Sequence, residues 1–427
     1  ETLAEIDAIQ NAGRYADAES GARAAVEKAK ELGFRPLEAE AQLRLGRALN
    51  RLGRDEDATA AAKSAFLSAQ TADRDSVALH AALVVSLAAG VEGNDKERAL
   101  LWSDIALALA QRLEPDAGPR VASVLDARAA VMQRHGDYEA ARKLHNRSLE
   151  LYQQDSMGYA SALQGRGGAR ESLGDIPGAL DDLQASLSIH MRELGPQHPT
   201  IGAIKLSLSG SYRLAGRYED SRTSAEEARD IYVAVQGPNG RDVASALSAI
   251  GTAVIHLGEP EQALSLHQNA LRILNATLGP RHVEVGAEHQ QCGIALTELG
   301  RYDEALAAFD IATEIVASEL GVAHPFVASS RMETANVLAI QGKVADAQAI
   351  YEQLLDDEQA REPPTGREDS IRANLGLLLA EQGEFKAALE QYTRVLELAR
   401  DVPQSFAYQM AVADIAEIYL ALDRPHD

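Results

Sequence analysis

Aromatic and sulfur-containing side chains are scarce in this chain of 427 residues. Aromatic residues make up 4% of it, with one tryptophan and six phenylalanines, and Cys292 is the single cysteine. A lone cysteine excludes a disulfide framework within the chain and fits a reducing compartment. The shortage of rings favours a core of alanine and leucine between closely packed helices, and it argues against a large ligand pocket lined by rings.

Basic residues are also in deficit. The chain has 41 Lys and Arg against 64 Asp and Glu, which gives a formal net charge of −23. This balance disfavours binding to nucleic acid or to an anionic membrane, because both depend on basic patches. No apolar stretch approaches the ~18 uncharged residues of a membrane span, and no signal peptide is visible. We therefore expect no nucleic-acid partner, no membrane association and a cytoplasmic location.

Motifs that carry chemistry are missing. The glycine cluster Gly165-Arg166-Gly167-Gly168 lacks the Lys-Ser/Thr ending of a phosphate loop and falls inside a predicted helix. The eleven histidines include no i, i+4 pair with a third metal ligand nearby. Neither a nucleophile elbow nor a kinase catalytic loop is present. We expect no catalytic residue, no metal site and no cofactor, and hence no enzymatic activity in this chain.

A regular glycine spacing is what the sequence does contain. Five glycines lie 42 residues apart, at Gly174, Gly216, Gly258, Gly300 and Gly342. The series continues less strictly with Gly13, Gly53 and Gly136 on one side and Gly383 on the other. A further turn is expected between Ala89 and Asp95, and a last one near Leu422-Asp423-Arg424. Such a period indicates one structural unit that is copied and stacked.

Small residues keep a fixed register to these glycines. Five positions after the glycine come Ala18, Ala58, Ala141, Ala179, Ser221, Ala263, Ala305, Ala347 and Ala388. Seven positions before it come Gly46, Ala129, Gly167, Ser209, Gly251, Gly293, Ala335 and Gly376. Small side chains let helix backbones approach closely, and the larger apolar residues between them follow helical spacing without strand-like alternation. Each unit is predicted to be a helix, a short turn and a second helix.

The unit around Gly258 shows the expected helix boundaries. Its first helix is predicted to begin after Asp242 as N-cap, and Pro260 falls in the first turn of the second helix, where a missing N–H costs nothing. Leu278-Gly279-Pro280 is typical of a helix end.

This pattern of small residue, glycine turn and alanine resembles the tetratricopeptide repeat. The 42-residue length and the connectors Leu194-Gly195-Pro196-Gln197-His198-Pro199 and Leu320-Gly321-Val322-Ala323-His324-Pro325 resemble its kinesin-light-chain type. The resemblance implies an all-α, right-handed superhelical solenoid of about ten repeats over residues 1–427. Units of about 40 residues are irregular over 1–135, those over 136–345 are regular, and those over 346–427 are terminal and truncated.

The resemblance also implies a concave surface built from the first helices. In kinesin-light-chain repeats a pair of asparagines, ten and nine positions before the glycine, holds an extended peptide. Here those pairs are Leu206-Ser207, Ser248-Ala249, Gln290-Gln291, Met332-Glu333 and Ala373-Asn374, so that peptide site cannot be carried over as a unit. The candidate groove residues are Arg47, Asn50, Arg134, Gln164, Arg213, Ser248, Thr252, Gln290, Asn336 and Asn374.

Three functions are compatible with these observations. The first is a non-catalytic scaffold that binds a protein or peptide through the concave surface. The second is a regulatory or substrate-docking region of a larger bacterial Ser/Thr kinase, because the order of irregular and then regular units resembles the repeat regions of such kinases in myxobacteria. This hypothesis takes the start at Glu1 and the end at Asp427 as cuts in a longer protein. The third is a sensor of signalling peptides.

Overall fold

A computed structural model describes residues 2–89, 95–361, 367–400 and 406–422. This part of the chain is helical and holds no strand. Its twenty-one helices are α1 (Thr2–Asn11), α2 (Tyr15–Leu32), α3 (Arg35–Arg51), α4 (Asp55–Thr71), α5 (Asp75–Ala89), α6 (Lys96–Leu113), α7 (Pro119–Arg134), α8 (Tyr138–Leu151), α9 (Met157–Ser172), α10 (Ile176–Leu194), α11 (Pro199–Leu214), α12 (Tyr218–Gln236), α13 (Arg241–His256), α14 (Pro260–Leu278), α15 (Val283–Glu298), α16 (Tyr302–Leu320), α17 (Pro325–Ile340), α18 (Val344–Gln359), α19 (Glu368–Glu381), α20 (Phe385–Leu398) and α21 (Phe406–Ala421).

The glycine spacing marks the turns between paired helices, as predicted. Odd-numbered helices are the first of each pair, and even-numbered helices are the second. The nine glycines of the series that begins at Gly13 and ends at Gly383 have φ between 70° and 82°. This left-handed conformation is open to glycine at little cost and reverses the chain in few residues. The turn expected between Ala89 and Asp95 lies outside the described residues. The turn expected near Leu422 lies only partly within them.

The helices stack in two layers. Consecutive helices pack against each other from α1 to α12 and from α14 to α21, and first helices of successive pairs also contact one another, as in α3 with α5, α5 with α7, α15 with α17 and α17 with α19. These first helices form an inner layer on each side of α13. The fold is the helix-turn-helix solenoid that the repeat predicts.

The small residue seven positions before the turn makes room for a ring in three repeats. A Cβ atom added to Gly293 would lie 2.5 Å from Cε1 of Phe309, and one added to Gly376 would lie 2.7 Å from Cε1 of Tyr392. At Gly251 the neighbour is the imidazole of His267, 2.6 Å away at Nε2. These three rings are thus placed against glycine, which confirms the packing function expected for this position.

One helix boundary differs from the sequence prediction. Asp242 is not the N-cap of α13, because the helix begins at Arg241 and the carbonyl of Gly240 accepts a hydrogen bond from the N–H of Ala244. The carboxylate of Asp242 instead accepts a bond from Gln236, at 2.6 Å. Pro260 is the first residue of α14, as predicted.

The chain divides into two compact units, Glu1–Ala249 and Ile250–Asp427, with the boundary inside α13. From here on, the first unit and the second unit mean these two compact parts of the chain, and the helix pairs are called repeats. A single solenoid over residues 1–427 stays a prediction. Among the described helices, none is both long and apolar enough to cross a membrane.

Candidate functional site

Inner helices alternate between buried and open positions in the register that the repeat predicts. In α11, Leu208, Ser209 and Ser211 are buried, whereas Ser207 and Arg213 are half-exposed. The open positions lie nine and three residues before the glycine of the turn, on the side of the helix away from its partner. A row of such positions on neighbouring inner helices within one compact part of the chain forms a surface that a ligand could contact.

Four of the ten predicted groove residues are brought together in pairs. Arg47 and Asn50 line one cavity of the first unit, with a volume of about 550 Å³. Asn336 and Asn374 line one cavity of the second unit, with a volume of about 430 Å³. We call these the first-unit cavity and the second-unit cavity.

The other candidates lie in varied surroundings. Arg134 donates a hydrogen bond to the carbonyl oxygen of Leu87 at 2.9 Å, in the last turn of α5. It therefore satisfies a helix end and has a structural function. Gln164, Arg213 and Ser248 are half-exposed on α9, α11 and α13.

A polar row follows the inner helices of the second unit. The hydroxyl of Thr252 lies 3.5 Å from Oε1 of Gln291, and Nε2 of Gln290 donates to the hydroxyl of Ser329 at 3.3 Å. Each contact joins neighbouring inner helices. Gln290 itself is only 6% exposed, so it is less open to a ligand than the sequence predicts.

The second-unit cavity combines amides with an apolar wall. The hydroxyl of Tyr351 donates to Oδ1 of Asn336, and the amide Nδ2 donates to Glu333 at 3.2 Å. Burial raises the pKa of the Glu333 carboxyl and that of the Tyr351 phenol. The residues that line the second-unit cavity are Asn336, Ala339, Ile340, Tyr351, Asn374, Leu377, Leu378 and Glu381. Asn374 makes no hydrogen bond within the part of the chain that the structure describes, so its amide is free to meet a ligand.

Three connector histidines cap helices. Nδ1 of His198 accepts a hydrogen bond from the N–H of Thr200 at 3.1 Å. His282 and His324 do the same for Glu284 and Phe326, each at 3.2 Å. The sequence shows these histidines as a repeated feature, but their function as N-caps follows only from the backbone geometry.

The glycine cluster of α9 packs against buried polar groups. A Cβ atom at Gly165 would lie 2.3 Å from Cε1 of His145. Arg166, between the glycines, makes a two-bond ion pair with the buried carboxylate of Asp182, at 2.8 and 2.6 Å, and Arg170 adds a third bond at 2.9 Å. These residues therefore serve helix packing and a buried ion pair.

A second buried polar group lies in the second unit. Nδ1 of His267 is 2.7 Å from Oε1 of Glu288, and both side chains are almost fully buried. The thiol of Cys292 is buried, and burial together with the nearby Glu288 carboxylate raises its pKa to about 12. This thiol is therefore protonated and unreactive at neutral pH. Across residues 2–89, 95–361, 367–400 and 406–422, no group of three or more His, Cys, Asp or Glu side chains is placed to hold a metal ion.

Comparisons with known proteins agree with this architecture. A tetratricopeptide repeat profile matches residues 159–234, 200–276, 242–309 and 285–360, and a second profile of this repeat matches residues 3–76, 332–405 and 373–418. These matches cover more than half of the chain, so it belongs to the tetratricopeptide repeat family. Repeats of this family are generally non-catalytic and form protein-interaction scaffolds.

The repeats are of the kinesin-light-chain-like kind. Over 148 residues the chain is 28% identical to Protein KINESIN LIGHT CHAIN-RELATED 1 of Arabidopsis thaliana, a match that takes in 34% of this chain and 24% of that protein. The chain thus spans about a quarter of the length of this curated relative.

Solved structures share the fold at low sequence identity. A Rap protein complexed with Competence and Sporulation Factor superposes with a TM-score of 0.58 at 12% identity, over 86% of this chain and 99% of that one. The human IFIT1 dimer with m7Gppp-AAAA gives 0.58 at 16% identity, over 90% and 81%. The quorum sensor NprR from B. thuringiensis, in its apo form, gives 0.53 at 13% identity, over 81% and 94%.

Proposed function

We propose that this chain is a protein-interaction scaffold that binds an extended peptide segment on its inner helices, with the second-unit cavity as a contact point. The observation that carries the proposal is the row of amide and hydroxyl side chains on α13, α15, α17 and α19. It includes Thr252, Gln291, Asn336 and Asn374. A side-chain amide donates and accepts at once, which matches both edges of an extended peptide backbone.

The apolar wall beside these amides supports the same proposal. Leu377 is 41% exposed and lines the second-unit cavity with Ile340, which is 57% exposed. Exposed apolar side chains next to the free amide of Asn374 provide a place for one side chain of the peptide, while amides of the row bind its backbone.

The test uses a displayed library of random short peptides, selected on the full chain and measured by fluorescence polarisation. Asn374→Ala removes a free amide without breaking an internal hydrogen bond, and we expect it to weaken the selected peptides by about tenfold. Gln348→Ala is the matched control, because Gln348 lies on the outer helix α18 and, among the described residues, bonds only to Glu352. If the two variants and the wild type bind the selected peptides equally, the inner helices do not form the binding surface and the proposal is wrong.

Two narrower functions stay predictions. The likeness to Rap and NprR concerns the fold, and it suggests signalling-peptide sensing as a hypothesis that solution scattering with and without selected peptides can test. A docking function beside a Ser/Thr kinase domain predicts a catalytic domain in the same reading frame, and the cytoplasmic location likewise stays a prediction.

A further inference from the structure

The first-unit cavity is lined by parts of the chain that are far apart in sequence. One wall comes from α1, α2, α3 and α5, and the opposite wall comes from Met157, Leu194, His198 and Thr200. The walls touch directly, since Nε2 of His198 lies 2.6 Å from the carbonyl oxygen of Asn11. A Cβ atom added to Gly13 would lie only 2.3 Å from Cγ of Pro199. Between these two walls lies an open cavity of about 550 Å³, within the size range of small-ligand sites.

The charge of this cavity is opposite to that of the whole chain. The full sequence carries a net charge of −23, yet none of the described residues that line the cavity is an Asp or a Glu. Those residues are Gln10, Asn11, Tyr15, Arg47, Asn50, Arg51, His80, Leu83, Val84, Leu87, Met157, Leu194, His198 and Thr200. Two guanidinium groups thus lie in a cavity without a lining carboxylate, which favours an anion.

Arg47 is the central cation of this cavity. It makes no hydrogen bond or ion pair within the described residues, and the carboxylate near it, Asp7, is bonded to Arg44 at 2.6 Å. Burial lowers the pKa of Arg47, with Asp7 opposing and Arg44 adding to the shift. A partly desolvated guanidinium without a bonded partner is costly, and a bound carboxylate would remove that cost with two parallel bonds.

Polar and apolar parts of the cavity lie side by side. The Nδ1 atom of His80 lies 2.7 Å from the carbonyl oxygen of Ser76, which fixes the ring, and Asn50 donates to Asp55 at 3.2 Å. Leu83 and Leu87 follow His80 on the same face of α5, at the spacing of one helical turn. A ligand that reaches Arg47 with its anionic end would therefore place its adjoining part against these leucines.

We propose that the first-unit cavity binds a ligand with one carboxylate and an adjoining apolar group, with the carboxylate on Arg47 and Arg51 and the apolar group on Leu83 and Leu87. This chemistry is shared by the C-terminus of a peptide that ends in an apolar residue and by a medium-chain organic acid. The site is separate from the second-unit cavity, so the test of this proposal does not depend on the function proposed above.

The experiment measures binding to the full chain by isothermal titration calorimetry with four probes. N-acetyl-leucyl-leucine and octanoate carry the carboxylate, and N-acetyl-leucyl-leucinamide and octanamide are their neutral counterparts. We expect at least one acid to bind about tenfold more tightly than its amide. Binding of the dipeptide acid alone assigns a peptide terminus, and binding of octanoate alone assigns an organic acid. If neither acid binds the wild-type chain more tightly than its amide, the proposal is wrong, and no measurement on a variant can change that.

Two variants then locate the site. Arg47→Gln keeps a shorter polar side chain but removes the charge, and it should weaken the acid about tenfold without affecting the amide. Arg147→Gln is the matched control, because Arg147 is 59% exposed on α8 and pairs with Glu150. Equal losses in both variants, or none in Arg47→Gln, would place the binding elsewhere.

Discussion

The imidazole Nε2 of His198 lies 2.6 Å from the backbone carbonyl oxygen of Asn11, although 187 positions separate the two residues. The other ring nitrogen accepts the N–H of Thr200, so the proton is on Nε2 and the ring donates to Asn11. One side chain therefore caps α11 and fastens the end of α1 to it. This contact joins the two walls of the first-unit cavity.

His198→Ala should loosen α1 without unfolding the chain. The replacement removes the bond to Asn11 and the cap of α11, whereas His282→Ala removes only a cap, that of α15. Amide hydrogen exchange in α1 should rise about fivefold in the first variant, since one hydrogen bond is worth about 1 kcal/mol. Exchange in α1 should stay unchanged in His282→Ala. Equal exchange in both variants would show that the contact contributes nothing.

Gly293→Ala should destabilise the fold by about 1–3 kcal/mol, because its Cβ atom would lie 2.5 Å from the ring of Phe309 in a packed core. Gly210→Ala is the control. Gly210 is also helical, but the nearest atoms to its Cβ would be 3.8 Å away, on Glu171. That replacement should be neutral or stabilise by about 0.4–1 kcal/mol. Urea unfolding followed by circular dichroism measures both, and a similar loss in the two variants would contradict the packing argument.

The free energy of unfolding should fall at acidic pH because His324 caps α17. Burial lowers the pKa of His324, and Arg367 and Arg361 add to the shift. The folded state therefore favours the neutral ring, whose Nδ1 accepts the N–H of Phe326. This stabilisation is complete above the ordinary histidine pKa of about 6.5 and is lost as the pH falls through the lower folded-state value.

Replacement of that histidine tests the assignment. Asparagine also caps helices but does not titrate in this range, so His324→Asn should keep a cap worth about 1 kcal/mol and reduce the loss of stability on acidification. The measurement is the free energy of unfolding at a series of pH values between neutral and mildly acidic. Four other histidines whose pKa is also lowered by burial are present in both proteins and contribute to the remaining slope: His80, His135, His190 and His289. Identical slopes would rule out His324 as a source.

Cys292 should resist thiol reagents in the folded chain. Its pKa is raised to about 12 by burial and by Glu288, so little thiolate exists at pH 8. Reaction with Ellman's reagent should follow the rate of unfolding and become fast in denaturant. A rapid reaction of the native protein, compared with a Cys292→Ala blank, would show that the thiol is open to solvent.

Groove residues show where sequence reasoning is sufficient and where it is not. The register correctly separates open from buried positions on α11, because the side-chain period of a helix is local. It does not show that Gln290 is buried or that Arg134 bonds to Leu87, since both depend on the neighbouring inner helix. His80 and His198 are not among the predicted groove residues. His80 follows no pattern of its repeat, and His198 belongs to the repeated connector, outside the groove positions of the first helices.

The sequence by itself determined the repeat, the positions of the turns and the all-α fold, since each depends on glycine conformation and helical periodicity within about 40 residues. Only the tertiary structure decided what lines the first-unit cavity. Asn11 and His198 belong to different repeats, and they meet only because the repeats between them are stacked. No local pattern records that stacking, so the charge and shape of this surface appear only in the folded chain.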